Sequence, residues 1–307
     1  MKTTTLFFFC AVAMALPAAT ATYRQPNYDE SKIHPYTLED PLTFIDGTKV
    51  KSPADWPRRR AEILGIFARE MYGQPPPAPE AVVTEVWDVK KKALAGYCIR
   101  KQVKMWFKKD KTGPCINWIV FIPRHAKAPS PVILFLNYRG NHELVPNTDI
   151  PVQQAWTRSG PKTDGNKSSA RTRGVMCDPN SNSILPIGML LARGYAVMSA
   201  CYCEVSPDPS FKERDPAFRQ DPFAYTGVFD LWPKRDESRD DNPTALGAWA
   251  WALSRGLDYA ETDPDNYSTA GIGESFGYVR RSEQHGIAAH DWMWMIDFAD
   301  REFGIRR

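Results

Sequence analysis

Five consecutive apolar residues, Val132, Ile133, Leu134, Phe135 and Leu136, stand between Pro131 and Asn137. A run without alternation predicts a strand covered on both faces of a sheet. Tyr195 to Cys201 has the same character, and Ile184 to Ala192 between them has helical spacing closed by Gly194. Strand, helix and strand in that order make a crossover unit, so the two strands are predicted to lie adjacent and parallel. Upstream, Val82 to Val89, Cys98 to Phe107 and Ile116 to Ile122 predict further strands, with a hairpin loop at Lys108 to Gly113. The sheet is expected to begin antiparallel.

Three longer helical patterns frame these strands. Ser52, Pro53 and Asp55 announce the first; Ile63, Leu64, Phe67 and Met71 give it an apolar face, and Gly73 with the prolines at 75 to 77 stops it. It is expected to pack over a sheet edge. The second starts at Asn242-Pro243 and runs to about Ala260, with Leu246, Trp249, Ala250, Leu253 and Leu257 as its apolar positions. Its tryptophans read as core packing. The third is capped by Asp291 and carries Trp292, Met295, Ile296, Ala299 and Phe303 on one face. Residues 143–182 and 204–242 are polar excursions without periodicity, and the first, at the end of buried strands, reads as a wall of a substrate cleft. The pattern as a whole predicts an α/β fold: a mixed, mostly parallel sheet with flanking helices.

The chain has 307 residues, 43% of them hydrophobic, enough for one large domain with a substantial core. Residues 1–21 combine Lys2, an apolar run from Leu6 to Leu16 and Ala19-Thr20-Ala21 as a small-x-small site, which reads as a secretory signal peptide. Residues 22–50 form an N-terminal extended segment and residues 51–307 a single domain. The expected location is secreted or periplasmic, with no membrane span after signal removal, because no later stretch approaches the roughly 20 apolar residues a span needs. A net charge of +3 from 39 basic and 36 acidic residues offers no broad basic face and argues against nucleic acid as a partner. The densest basic run, Arg58 to Arg60, reads as the solvated side of a helix. Loss of Cys10 with the signal leaves Cys98, Cys115, Cys177, Cys201 and Cys203, an odd number that cannot all pair within one chain. Cys201 and Cys203, two apart on a strand end, are expected to be poor partners for each other.

Candidate chemistry lies at two places. The apolar strand ends in Asn137-Tyr138-Arg139-Gly140-Asn141-His142, where a glycine permits close backbone approach and an oxyanion site at Arg139 and Gly140 competes with an ordinary turn. Near the end of the chain a short strand from Phe276, a polar loop with His285 and the last helix follow one another. His285 is the candidate general base, against the plainer reading of a solvated loop histidine. Gly273-Glu274-Ser275-Phe276-Gly277 satisfies G-x-S-x-G, so Ser275 is a candidate nucleophile by pattern. Its context argues against that role. Tyr278 to Arg281 reads as a strand leading to His285 ten positions on, where a helix should follow, and no acid-bearing strand fits between them. A metal site from His142, His285 and His290 lacks supporting carboxylate spacing, and no motif calls for a cofactor.

Three runs carry a resemblance to a known family: Leu136 to His142, Gly247 to Tyr259, and Gln284-His285-Gly286-Ile287 through Asp291-Trp292. In order, over most of residues 40 to 305, the chain resembles bacterial glucuronoyl esterases, α/β-hydrolases that also resemble acetylxylan esterases. The resemblance implies a carbohydrate ester hydrolase working through Ser, His and an acid on glucuronate or acetyl esters of plant cell-wall xylan, with His285 as the catalytic histidine. It also marks a gap. The family's helix matching the one that ends near Tyr259 is followed by a strand, a nucleophile elbow reading Gly-Cys-Ser-Arg-x-Gly-Lys, and further elements with the catalytic acid. Here only ten residues separate Asp265 from Phe276, so the domain is expected to be truncated internally after about residue 265. The expectation is therefore an impaired hydrolase, with a non-catalytic scaffold or carbohydrate-binding derivative as the alternative. An acid for Ser275 would have to come from the earlier loops, among Asp236, Asp240 and Asp241.

Overall fold

Along Cys115–Pro123, Trp118, Val120 and Ile122 enter one apolar cluster while Ile119 and Phe121 enter another, because successive side chains of a strand point to opposite faces. A sheet with both faces covered follows from that alternation. In the computed structural model of the protein, the described residues are 29–74, 76–126, 129–153, 173–178, 184–207, 226–234, 236, 238–239, 241–263, 267–268, 287 and 289–304. Contacts divide the chain into two units, Met1–Arg59 and Arg60–Arg307.

Among the described residues of the larger unit, six strands run in the spatial order β1-β2-β3-β5-β4-β6. They are β1 (Val83–Ala93), β2 (Cys98–Trp106), β3 (Cys115–Pro123), β4 (Ser130–Asn137), β5 (Ala196–Cys201) and β6 (Tyr267–Ser268). The first three pair antiparallel, β3 pairs antiparallel with β5, and β4 pairs parallel with β5 from Val132↔Ala196 to Asn137↔Cys201. The predicted adjacent, parallel pair is therefore present. β4 also pairs parallel with β6, at Ser130↔Tyr267 and Pro131↔Ser268. β1 runs four residues further than expected and carries Lys90, Lys91 and Lys92 at the sheet edge, where charge discourages pairing with another chain.

The helices are α1 (Trp56–Phe67), α2 (Ile187–Ala192), α3 (Tyr202–Val205), α4 (Ala245–Thr262) and α5 (Ala289–Glu302). α2 and α5 cover the face that contains Ile119 and Phe121; α4 covers the opposite face. α2 starts three residues later than its apolar pattern, after Pro186. Trp292 Nε1 of α5 donates to the Ile184 carbonyl at 2.7 Å, and Asp300 accepts from Tyr195 OH at 2.8 Å and from the Arg193 guanidinium. These buried bonds fix α5 across the sheet. Asp291 lies inside the first turn rather than at the cap, because the helix begins at Ala289.

Two further expectations need correction. α4 turns a different face to the sheet from the one its large apolar residues mark: Ala248, Trp251, Ala252, Gly256, Tyr259 and Ala260 are buried, while Leu246 is exposed. Small residues let the helix backbone come close. A methyl group on Gly256 would sit 2.7 Å from Trp118 Cη2, so the bulky positions are displaced to the flanks. Trp251 does pack in the core, against Phe107 and Trp232. In the first helix the apolar face is not buried: Leu64, Phe67 and Met71 are 49%, 44% and 56% exposed. Its last turn, Ala68–Tyr72, is a π-helix ended by Gly73.

In the smaller unit the turn at Asp46-Gly47 is present, with Gly47 at φ +82° and Asp46 Oδ1 accepting from Thr48 N at 2.9 Å. Of the described residues, no helix is long and apolar enough to cross a membrane. Cys98, Cys115, Cys177, Cys201 and Cys203 are all free thiols.

Candidate functional site

β4 and β5 run parallel and end side by side, which brings the loops that follow them to one end of the sheet. In open α/β sheets, crevices at the carboxyl ends of the strands are where ligands bind. β4 ends at Asn137, whose buried side chain organises its exit: Nδ2 donates to Asn141 Oδ1 at 2.9 Å and to Ser199 Oγ at 3.1 Å, and Oδ1 accepts from Gly140 N at 2.7 Å. Gly140 has φ +114° and ψ 154°, a region that a side chain disfavours. A Cβ there would lie 2.6 Å from Gln153 Cβ and 2.9 Å from His142 Nδ1. The chain then turns through Asn141, His142 and Glu143, all three buried. His142 Nδ1 accepts from Gln153 N at 3.4 Å, and Glu143 stands 3.9 Å from His142 Nε2 and 3.8 Å from Arg139 Nε.

From Asn141 the polar connection continues across the sheet. Asn141 Nδ2 donates to the Asn117 carbonyl at 2.7 Å, and Asn117 donates twice to Glu204, from N to Oε2 and from Nδ2 to Oε1, each at 2.7 Å. Gln153 Nε2 donates to the same Oε1. Loss of hydration outweighs these donors and pushes the Glu204 carboxyl up to about 7. Glu204 stands in α3, directly after β5, and opens onto a cavity of about 460 Å³ that Trp87, Gln102, Lys104, Asn117 and Gln153 also line.

The cavity is roofed by residues 150–153, and a buried arginine holds that roof in place. Arg100, 1% exposed, grips Asp149 through both terminal nitrogens, at 2.7 and 3.0 Å, and also reaches Asp88 at 2.6 Å. Gln102 Nε2 donates to Asp88 Oδ2 at 2.8 Å. Part of the 143–182 excursion therefore does wall a cleft, with buried Ile150 packed beneath it.

Most of the residues proposed for catalysis fall outside what the structure describes. Ser275 and His285 lie outside the described residues, as does Asp240. Beyond His285 the chain is placed at Ile287, whose carbonyl accepts from Ile184 N at 3.4 Å. Asp241 is paired with Arg239 at 2.9 Å and with Gln74 at 3.0 Å, and Asp236 accepts from Ser238 within its own turn. Both serve the loop ahead of α4. At the expected oxyanion region, the Gly140 amide donates to Asn137 Oδ1. His142 is buried at the β4 exit, whereas His290 packs on Trp294 at the start of α5. Sequence reasoning missed Glu204, Asn117 and Gln153. The one available signal was a carboxylate three residues past an apolar strand.

No family model matches the chain. A carbohydrate esterase of an unknown prokaryotic organism is 34% identical over 253 residues, 79% of this chain and 54% of that protein. The solved structure of a glucuronoyl esterase from Solibacter usitatus superposes with a TM-score of 0.64 at 30% identity, over 77% of this chain and 56% of that one. A promiscuous esterase from a marine bacterial metagenome gives a TM-score of 0.59 at 30% identity, over 78% of this chain and 57% of that one. The chain spans about half the length of the relatives it matches.

Proposed function

From a chain that belongs to the glucuronoyl esterase family over the length it matches, we propose a carbohydrate ester hydrolase scaffold whose own turnover is impaired. In the complete chemistry a serine attacks the ester carbonyl, His285 takes and returns the proton, and an acid orients the imidazole. Backbone amide near Arg139 would face the oxyanion. The substrate class is an ester of glucuronate or acetate on xylan. The observation that carries the impairment is the short interval after α4: ten residues separate Asp265 from Phe276. That interval has no room for a nucleophile elbow, its helix and an acid-bearing strand ahead of His285. The domain, residues 51–307, is then an incomplete α/β-hydrolase, preceded by a signal at 1–21 and an extended segment at 22–50, and the protein is secreted or periplasmic. The second reading, a non-catalytic carbohydrate-binding derivative, is favoured by the cavity beside Glu204, which is lined without using any of the missing segment.

The test is release of benzyl alcohol from a benzyl glucuronate ester by wild type, Ser275→Ala and His285→Ala. Weak turnover that Ser275→Ala leaves unchanged is the expected result. Robust turnover abolished by Ser275→Ala would overturn the proposal and restore the G-x-S-x-G serine as nucleophile.

A further inference from the structure

The cavity beside Glu204 has a donor and acceptor pattern of its own. Each amide nitrogen on its walls is committed to the protein: Gln102 Nε2 to Asp88, Asn117 Nδ2 and Gln153 Nε2 to Glu204, and Asn141 Nδ2 to the Asn117 carbonyl. Asn141 Oδ1 accepts from Asn137. The side-chain carbonyl oxygens of Gln102, Asn117 and Gln153 accept no hydrogen bond among the described residues, although Gln102 and Gln153 are 4% and 6% exposed. These oxygens are open to the cavity, and a primary amide has two acceptor sites at its oxygen. The cavity therefore presents acceptors and asks for a ligand that brings hydroxyl donors.

Its rim carries an aromatic platform placed by the backbone. The register of β1 against β2 passes from Val86↔Val103 to Asp88↔Gln102, so Trp87 is the extra residue of a bulge, a device that re-aims a side chain. Trp87 is 40% exposed and lines the cavity. Among the described residues that line it, Lys104 is the one cation, and its ammonium faces the Trp87 ring at 5.9 Å from the centroid. With the carboxyl of Glu204 also on the wall, this arrangement does not suit an anion.

We infer that this cavity is a subsite for a neutral pyranose unit of a glycan chain, with Trp87 as the stacking face and the oxygens of Gln102, Asn117 and Gln153 as hydroxyl acceptors. The volume of about 460 Å³ falls within the range of small-ligand pockets. The inference rests on the carbohydrate reading above but not on ester cleavage.

Calorimetric titration of the purified full chain with a linear xylo-oligosaccharide lacking uronate, and separately with free glucuronate, tests it. Wild type is expected to bind the neutral oligosaccharide and to prefer it to glucuronate. Trp87→Ala should weaken that binding by about tenfold, as truncation of a buried aromatic contact does. Trp87→Tyr should restore most of it, and Trp294→Ala, a change at an exposed tryptophan on α5, should leave it unchanged. Three outcomes would overturn the inference: no binding of the oligosaccharide by folded wild type, equal binding by folded Trp87→Ala, or preference for glucuronate. Because the readout is binding, a protein without esterase activity still decides the matter, and loss of one proposal leaves the other standing.

Discussion

β4 and β5 are alike in composition and lie side by side, yet they differ in cover. All six residues of β5 are buried; in β4 only Ser130 and Asn137, its two ends, are, and Pro131 to Leu136 are half-buried. β5 has β3 on one side and β4 on the other, whereas on its outer side β4 meets β6 only at Ser130 and Pro131 among the described residues. An apolar run states a demand for burial on both faces, and neighbouring elements decide how far the demand is met. The exits of the two strands differ as well. β4 leaves through a loop stitched by Asn137 and strained at Gly140, while β5 leaves into a short helix carrying a carboxyl that loses most of its hydration.

The comparison is tested most severely at a register pair. Leu134 and Met198 face each other across the two strands and contribute to the same cluster. Met198→Ala should cost about 4 kcal/mol of stability in urea denaturation, as large-to-small changes at full burial do. Next, Gly140→Ala should cost about 3 kcal/mol, since it combines a positive φ with a Cβ 2.6 Å from Gln153 Cβ. A smaller cost would mean that the β4 exit gives way.

Glu204 supplies the third test, through pH. Its carboxyl titrates at about 7 in the fold against an ordinary 4.5, so between those values the folded protein holds a proton that the unfolded chain has released. The contribution to stability is then fullest below pH 4.5 and is lost as pH rises through 7, by an amount on the order of 3 kcal/mol. Glu204→Gln should flatten that part of the pH profile of the urea midpoint; an unchanged slope would locate the proton elsewhere. The smallest effect belongs to Leu134→Ala, about 1 kcal/mol because its site is only partly covered. Equal losses for Leu134→Ala and Met198→Ala would erase the distinction between the strands.

The strands were legible because their signal is local. Alternation or its absence over a few residues marks a strand and how many of its faces are covered, and a Gly or Pro marks its end, so β1 to β5 and the parallel crossover follow from the residues alone. Helix faces were less legible. Hydropathy pointed to Leu246, Leu253 and Leu257 of α4, but the sheet receives the stripe through Ala248, Ala252, Gly256 and Ala260. Close approach to Trp118 depends on what a helix lacks as much as on what it carries. The first helix makes the same point in reverse, with an apolar face that is left exposed.

For the site, the residues by themselves determined its position at the carboxyl ends of the strands, the need for glycine at Gly140 and the short interval before His285. Only the tertiary structure decided which groups meet there. Asn117, Asn141, Gln153 and Glu204 come from four separate segments, and Arg100 and Asp149, 49 residues apart, hold the roof above them. A hydrogen-bonded network of that kind leaves no periodic trace in a sequence, because each member is chosen for a partner distant along the chain.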